Sequence, residues 1–277
     1  MRADQTILFT DLDGTLFASD GSVSPGNRAA IEEYIAAGGR FALSTGRAPR
    51  NALRFLGDLP TNAPSVVFNG AGVYEFATGK FGFLRHIDKT NLFPLLRWAL
   101  EHIPGVDIQL YTADEILYAT PLETAQPEYL AMHQPARFAP LDTLTDAAIV
   151  KSLLLPPQDR LDFLGEKLEA AAPGAFDLKK GTIPLGGGWI GYYELMPPEA
   201  TKGAALRSLR SHPAVSGRTV LAAGDYWNDY ELLQEADVPV APANAIDEIK
   251  NLCRFVTASN DDDAIAHIIR DIIPALP

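Results

Sequence analysis

Four aspartates stand in two short runs far apart in the chain. Asp11 and Asp13 lie in Asp11-Leu12-Asp13-Gly14-Thr15, and Asp225 and Asp229 lie in Gly224-Asp225-Tyr226-Trp227-Asn228-Asp229. Carboxylates packed together repel, and raise one another's pKa, unless a cation neutralises them. An all-oxygen cluster suits a hard ion such as Mg2+, held by one or two carboxylates, a backbone carbonyl, waters and a substrate phosphate. Asp is also a turn former and a helix N-cap, and a lone Asp-x-Asp-Gly reads that way. Here each run directly follows a short apolar segment, Thr6-Ile7-Leu8-Phe9-Thr10 or Thr219-Val220-Leu221-Ala222-Ala223. That placement favours one shared site over two unrelated turns.

The segments that must carry these residues read as strands buried on both faces, the type found in parallel sheets. After the loop from Asp11 to Pro25, the spacing predicts a helix over Asn27–Ala37, stopped by Gly38-Gly39. Phe41–Ser44 reads as the next strand, Arg50–Leu56 as a helix and Ser65–Phe68 as a third strand. This alternation predicts a parallel sheet with crossover helices. From about Gly79 to Pro197 the pattern changes. Ile108–Tyr111 and Ile116–Tyr118 read as strands exposed on one face, with helices over Leu92–His102 and Asp159–Ala171, as in a partly antiparallel α+β insertion. The buried pattern resumes at Thr219–Ala223, followed by strands at Val238–Val240 and Phe255–Thr257. Helices are expected over Tyr230–Ala236, Ala245–Asn251 and Asp263–Ile272. The fold class is therefore α/β: a core from residues 1–78 and 198–277, and an inserted α+β domain from 79–197. Ala77-Thr78-Gly79 and Pro197-Pro198 are the expected linkers.

In open parallel sheets, ligands bind beyond the carboxyl ends of the strands. The polar residues there are the two acidic runs and Ser44-Thr45-Gly46-Arg47. The formal net charge of -12 opposes binding to nucleic acid or to anionic lipid. It also opposes a phosphorylated substrate, unless a bound cation or a local lysine or arginine reverses the field. The single cysteine, Cys253, excludes an internal disulfide and fits a reducing compartment. No apolar run approaches the ~18 residues of a membrane span, so the chain reads as a cytoplasmic protein.

With these residues in view, the sequence resembles the haloacid dehalogenase superfamily of phosphohydrolases, and within it the Cof-type, type-IIB-capped sugar phosphatases. The resemblance rests on Asp11-Leu12-Asp13-Gly14-Thr15-Leu16, Thr45-Gly46-Arg47, Lys202-Gly203, and Gly224-Asp225 with Asn228-Asp229, in that order; Asn69-Gly70-Ala71 resembles a further loop of the subgroup. It implies a Rossmann-like core with an α+β cap, and Mg2+-dependent hydrolysis of small phosphorylated metabolites. Asp11 would attack phosphorus, and Asp13 would protonate the leaving oxygen and then activate water. Thr45 and Lys202 would hold the phosphoryl oxygens, with Ser44 as the alternative hydroxyl. Asp11, the backbone carbonyl of Asp13, and Asp225 would bind Mg2+, with Asp229 supporting the metal or orienting Lys202. Gly46 and Asn228 would touch substrate; Arg47 reads as either a substrate contact or a surface salt bridge, and Asn69 as either a substrate contact or a turn former. The cap would close over the core and select the leaving group. A phosphosugar mutase and a non-catalytic metabolite-binding protein are the competing functions on the same fold.

One departure from the family pattern is Tyr226-Trp227, where Gly often follows the motif aspartate; these rings would either narrow the cleft or pack beneath the loop. His86, His102, His133, His212 and His267 are scattered without metal-ligand spacing and read as structural. Gly186-Gly187-Gly188 reads as a tight turn between cap strands, Asp261-Asp262-Asp263 as the cap of the last helix, and Lys179-Lys180 as a solvated pair. Cys253 reads as a small buried hydrophobe.

Overall fold

The computed structural model describes residues 1–124, 136–185 and 188–277. His133 and Gly186-Gly187 lie outside the described residues. Two compact units form: Met1–Phe83 with Thr201–Pro277, and Leu84–Ala200. The first unit runs past the expected exit at 78. Its strands β3 (Ser65–Val67), β4 (Gly72–Glu75) and β5 (Lys80–Leu84) join in one three-stranded sheet.

The central sheet of the first unit has five strands in the order β14-β13-β12-β1-β2. These are Phe255–Val256, Val238–Ala241, Thr219–Ala223, Thr6–Thr10 and Arg40–Leu43, and all pairings are parallel. Side chains alternate across a strand, so β1 feeds two cores. Leu8 packs with Phe41, Leu43, Leu221 and Val240, against the helix Pro25–Ala36 and the C-terminal helical segment. Ile7 and Phe9 pack with Ala42, Val220 and Ala222, against helices Lys202–Leu209, Tyr230–Glu235 and Asp247–Leu252. Every residue of β1 is buried, as the unbroken apolar run requires.

β3 does not extend this sheet as a full strand. It pairs antiparallel with β4 and touches the continuation of β2 through a single bridge, Ser44 to Val66. The turn after β3 holds Phe68, Asn69 and Gly70 at φ of 50°, 51° and 103°. For the two non-glycine residues this is strained backbone, which persists only where surrounding contacts fix it.

The second unit has a six-stranded sheet in the order β10-β11-β9-β6-β7-β8. In chain order these are β6 (Asp107–Tyr111), β7 (Ile116–Tyr118), β8 (Ala136–Phe138), β9 (Lys151–Leu155), β10 (Asp177–Leu185) and β11 (Gly188–Met196). Ile108, Leu110, Leu117, Leu154, Tyr193 and Leu195 form one core with helices Lys89–His102 and Leu161–Ala171. The sequence predicts one exposed face for β6 and β7, yet all their residues are buried. Polar partners are found locally: Gln109 donates to Asp107 at 3.1 Å, Thr120 donates to Asp107 at 3.0 Å, and Tyr111 donates to Gln109 at 3.0 Å. Lys179 and Lys180 pair with Asp177 and Asp162 at 3.5 and 3.2 Å.

The expected acidic cap of the last helix does not form, because those carboxylates reach back across the unit. Asp261 accepts from the Ser19 backbone and hydroxyl, both at 2.7 Å, and Asp263 accepts from Ser24 Oγ. Cys253 is half-buried rather than fully buried, and burial pushes its thiol up to about 12. Among the described residues, no helix is long and apolar enough to cross a membrane.

Gly70 couples this scaffold to the site, since a Cβ there would lie 2.0 Å from the Thr201 carbonyl oxygen, beside Lys202. At φ +103° no relaxed side-chain-bearing residue fits. Gly70→Ala should therefore destabilise by about 2 kcal/mol or more, lowering Tm by roughly 4–8 °C. A thermal melt that matches the parent would show that the turn yields freely.

Candidate active site

Strand register brings the site together. Thr10 stands opposite Leu43 on one side and Ala223 on the other, so three strands end level. The chain continues the ladder by one step: the Asp11 amide donates to the Ala223 carbonyl at 2.9 Å and the Ser44 amide to the Thr10 carbonyl at 2.8 Å. Asp11, Gly224-Asp225 and Ser44-Thr45 thus emerge side by side at the carboxyl edge, where the sequence placed them.

After Asp11 the backbone leaves the strand in one wide turn, Leu12–Leu16, closed by Leu16 N to Asp11 O at 3.3 Å and Phe17 N to Leu12 O at 2.8 Å. Gly14 makes that turn possible. Its φ is +74°, and a Cβ there would lie 2.5 Å from Asp225 Oδ2. Thr15 Oγ1, on the same turn, donates to Asp225 Oδ1 at 3.0 Å. The loop after β1 and the distant acidic loop are thereby packed together.

Lys202 sits at the first position of the helix Lys202–Leu209, whose N-cap Thr201 accepts from the Ala204 amide at 3.1 Å. Its ammonium is fully buried and lies 2.9 Å from Asp11 Oδ1 and 2.6 Å from Asp229 Oδ1. The other oxygen of Asp229 accepts the Asp225 amide at 3.1 Å and the Tyr226 amide at 3.5 Å. Both oxygens of Asp229 are thus engaged within the protein, one on Lys202 and the other on the loop amides. One ligand oxygen from each of Asp11, Asp225 and Asp229 falls within 4.8 Å of the others.

The electrostatics are strained. Burial, followed by the charges of Asp229 and other carboxylates, pushes the Asp11 carboxyl well above the ordinary range, and Lys202 pulls it back. Burial and the Asp229 charge push Asp225 up to about 6. The carboxylates of Asp11 and Asp229 raise the Lys202 ammonium against the opposing effect of its burial. Three carboxylates face one ammonium, which leaves the cluster short of positive charge. An all-oxygen donor set with excess negative charge fits a hard divalent cation, held by Asp11 and Asp225 with Asp229 behind them.

Asp13 is outside that oxygen cluster. Its carboxylate receives a bidentate pair from Arg47, Nε at 2.8 Å and Nη2 at 2.6 Å. The guanidinium stacks 4.3 Å from the Phe55 ring centroid and 5.5 Å from that of Phe17. Arg47, expected as either a substrate contact or a surface salt bridge, is thus engaged with Asp13. Thr45 is buried, and its hydroxyl accepts the Arg47 amide at 3.1 Å. Ser44 is also buried, and its hydroxyl lacks a hydrogen-bond partner among the described residues. Asn228 Nδ2 donates to Asn69 Oδ1 at 3.4 Å, and Asn69 abuts Gly46, where a Cβ would lie 2.8 Å from its Oδ1. Gly46, Asn69 and Asn228 therefore form one wall.

Tyr226 and Trp227 are about half exposed, at 55% and 52%, so they do not pack beneath the loop. Trp227 leans on Tyr230, with ring centroids 6.0 Å apart. Sequence reasoning missed Thr15, Asn244 and Asn260. Asn244 Nδ2 donates to the Gly14 carbonyl at 2.8 Å, and Asn260 Nδ2 to the Phe17 carbonyl at 2.9 Å. Side chains that bond backbone carbonyls leave no periodic trace in a sequence, though Asn244 lies just beyond the strand next to the one that carries Asp225.

Comparison with known proteins agrees with this arrangement. The family model for haloacid dehalogenase-like hydrolases matches residues 8–269. The 5-amino-6-(5-phospho-D-ribitylamino)uracil phosphatase of Bacillus subtilis is 27% identical over 287 residues, spanning 95% of this chain and 96% of that one. A solved haloacid dehalogenase-like hydrolase from Bacteroides thetaiotaomicron matches with a TM-score of 0.83 at 23% identity, over 96% of this chain and 99% of the other. A solved haloacid dehalogenase subclass IIB sugar phosphatase matches with a TM-score of 0.78 at 18% identity, over 96% and 98%.

The raised Asp225 pKa has a direct consequence. A carboxyl whose folded-state value lies near 6, above its unfolded value near 3.8, binds its proton more tightly when folded. Its effect on stability therefore becomes unfavourable as pH rises through that window. In chelator, Asp225→Asn should raise Tm by a few degrees at pH 7.5, and the gain should vanish towards pH 4. A gain that is absent, or that grows as pH falls, would contradict the charge crowding.

Proposed function

The chain belongs to the haloacid dehalogenase-like hydrolase family and is a phosphatase, and we propose that it hydrolyses small phosphate monoesters, sugar phosphates foremost, through an aspartyl-phosphate on Asp11. The observation that carries this reading is the level ending of three strands, with Asp11, Asp225, Asp229 and Lys202 drawn into one buried cluster. The preference for polyhydroxylated substrates draws on the relatives, one named as a ribitylaminouracil phosphatase and one as a sugar phosphatase. Such substrates and the single Cys253 accord with a cytoplasmic enzyme.

In this mechanism a carboxylate oxygen of Asp11 attacks phosphorus while the bond to the leaving oxygen breaks. Asp13 donates its proton to that oxygen, so a neutral alcohol departs. Asp13, now a carboxylate, takes a proton from water, which attacks phosphorus and expels the Asp11 carboxylate. Inorganic phosphate leaves, and the enzyme is restored. Covalent catalysis divides one hard displacement into two easier ones. For Asp13 to act as an acid it must release Arg47, since the bidentate pair stabilises the carboxylate form. Asp229 fixes the Lys202 ammonium at the phosphoryl oxygens, alongside the Thr45 hydroxyl, and this fixed charge needs no reorganisation as the transition state forms. Asp11, Asp225 and the Asp13 carbonyl would hold Mg2+, which when bound would supply neutralising charge to the transferring group.

Asp11→Asn should lower phosphate release from p-nitrophenyl phosphate by about 10^4-fold or more, in protein that still folds. Removing divalent cations from the parent enzyme should suppress release, and added Mg2+ should restore it. Release at the parent rate by Asp11→Asn would exclude Asp11 as the nucleophile.

A further inference from the structure

A third loop braces the two acidic loops. After β13, the Ile246 amide donates to the Asp225 carbonyl at 3.2 Å, while Asn244 Nδ2 donates to the Gly14 carbonyl at 2.8 Å. Asn244 Oδ1 in turn accepts the Asn260 amide at 3.0 Å, and Asn260 Nδ2 donates to the Phe17 carbonyl at 2.9 Å. The Gly14 carbonyl lies within the wide turn that carries Asp13, and the Phe17 carbonyl just beyond it. Asn260 is only 6% exposed, whereas Asn244 is exposed.

Asp13 needs such a brace. It lies off the strand at φ -74°, ψ 122°, directly before a glycine in the left-handed region. A glycine there has more conformational freedom than any other residue, and the Asp13 side chain itself is 58% exposed. Asn244 grips the next peptide, Gly14-Thr15, through the Gly14 carbonyl. We propose that Asn244, backed by Asn260, is a positioning residue that holds the Gly14-Thr15 peptide, and through it the adjoining Asp13, so that the Asp13 carboxyl is aimed at the leaving oxygen. The proposal rests on the reading of Asp13 as the proton donor. A role confined to loop stability would leave leaving-group selectivity unchanged; a positioning role would not.

The test compares kcat/KM for p-nitrophenyl phosphate and phenyl phosphate, which share a ring but differ in leaving-group basicity. Phenolate is the more basic and depends more on a proton from Asp13. Asn244→Ala should lose about tenfold on phenyl phosphate and less than about threefold on p-nitrophenyl phosphate, with Tm near that of the parent. Asn244→Asp keeps the acceptor for the Asn260 amide but loses the donor to Gly14, and should reproduce the split even where the alanine variant folds poorly. Equal losses on both substrates, or parent values, in the folded Asn244 variants would overturn the inference. Asp13→Asn is the control and should show the larger split. If it splits and the Asn244 variants do not, only the positioning role fails. If Asp13→Asn shows no split, the donor role of Asp13 fails, and the inference with it.

Discussion

The site is organised by one buried ammonium between two carboxylates. Lys202 is fully enclosed, and its charge is met at close range by Asp11 at 2.9 Å and Asp229 at 2.6 Å. Burying a charge without a partner is expensive, and breaking such a pair costs about 3–5 kcal/mol. The residues that carry these groups come from β1, from the start of the helix after the inserted unit, and from the loop after β12. The ion pairs therefore tie three distant stretches of chain to one point. Asp229 contributes twice, since its second oxygen collects the amides of Asp225 and Tyr226. It fixes both the ammonium and the loop that presents Asp225.

That arrangement is stable only on a scaffold that ends its strands level. The register Leu43–Thr10–Ala223 places three polar loops at one edge, and two alternating cores clamp the sheet that sets it. Close approaches then remove the remaining slack. Gly14 against Asp225, Gly224 against Asp229 and Gly70 against Thr201 all leave less than 3 Å for an added Cβ. The cluster retains more negative than positive charge even so. This is the physical reason that its oxygens suit a divalent cation; burial, and then the neighbouring carboxylates, raises the carboxyls of Asp11 and Asp225 above the ordinary range.

Much of this was legible in the sequence because it depends on periodicity and on residue type. Thr6–Thr10 is a strand because five residues in a row can be buried on both faces, and the polar residues just past it had to lie at a sheet edge. The family resemblance named Asp11, Asp225 and Lys202, and the structure brings them together. Other features were hidden because they depend on contacts between distant segments. Arg47 was read as either a substrate contact or a surface salt bridge, and nothing local in the sequence names Asp13 as its partner or Phe55 as the ring it lies on. Asp261 and Asp263 look like helix caps locally, yet the hydroxyls of Ser19 and Ser24 draw them elsewhere. The strands β6 and β7 alternate as if half-exposed, because Asp107, Gln109 and Tyr111 satisfy one another in a way that hydropathy does not register. Asn244 and Asn260 act on backbone carbonyls, which every residue possesses.

The central claim is that the Asp11 carboxylate, held by Lys202, takes the phosphoryl group. It is tested most directly by trapping that bond. The Asp13→Asn variant should accept phosphate from p-nitrophenyl phosphate, whose leaving group needs little acid assistance, and hydrolyse the adduct slowly. Acid quenching followed by borohydride reduction and peptide mass spectrometry should then find homoserine in place of aspartate at position 11. Homoserine at another aspartate, or phosphate released with no adduct at any residue, would contradict the account.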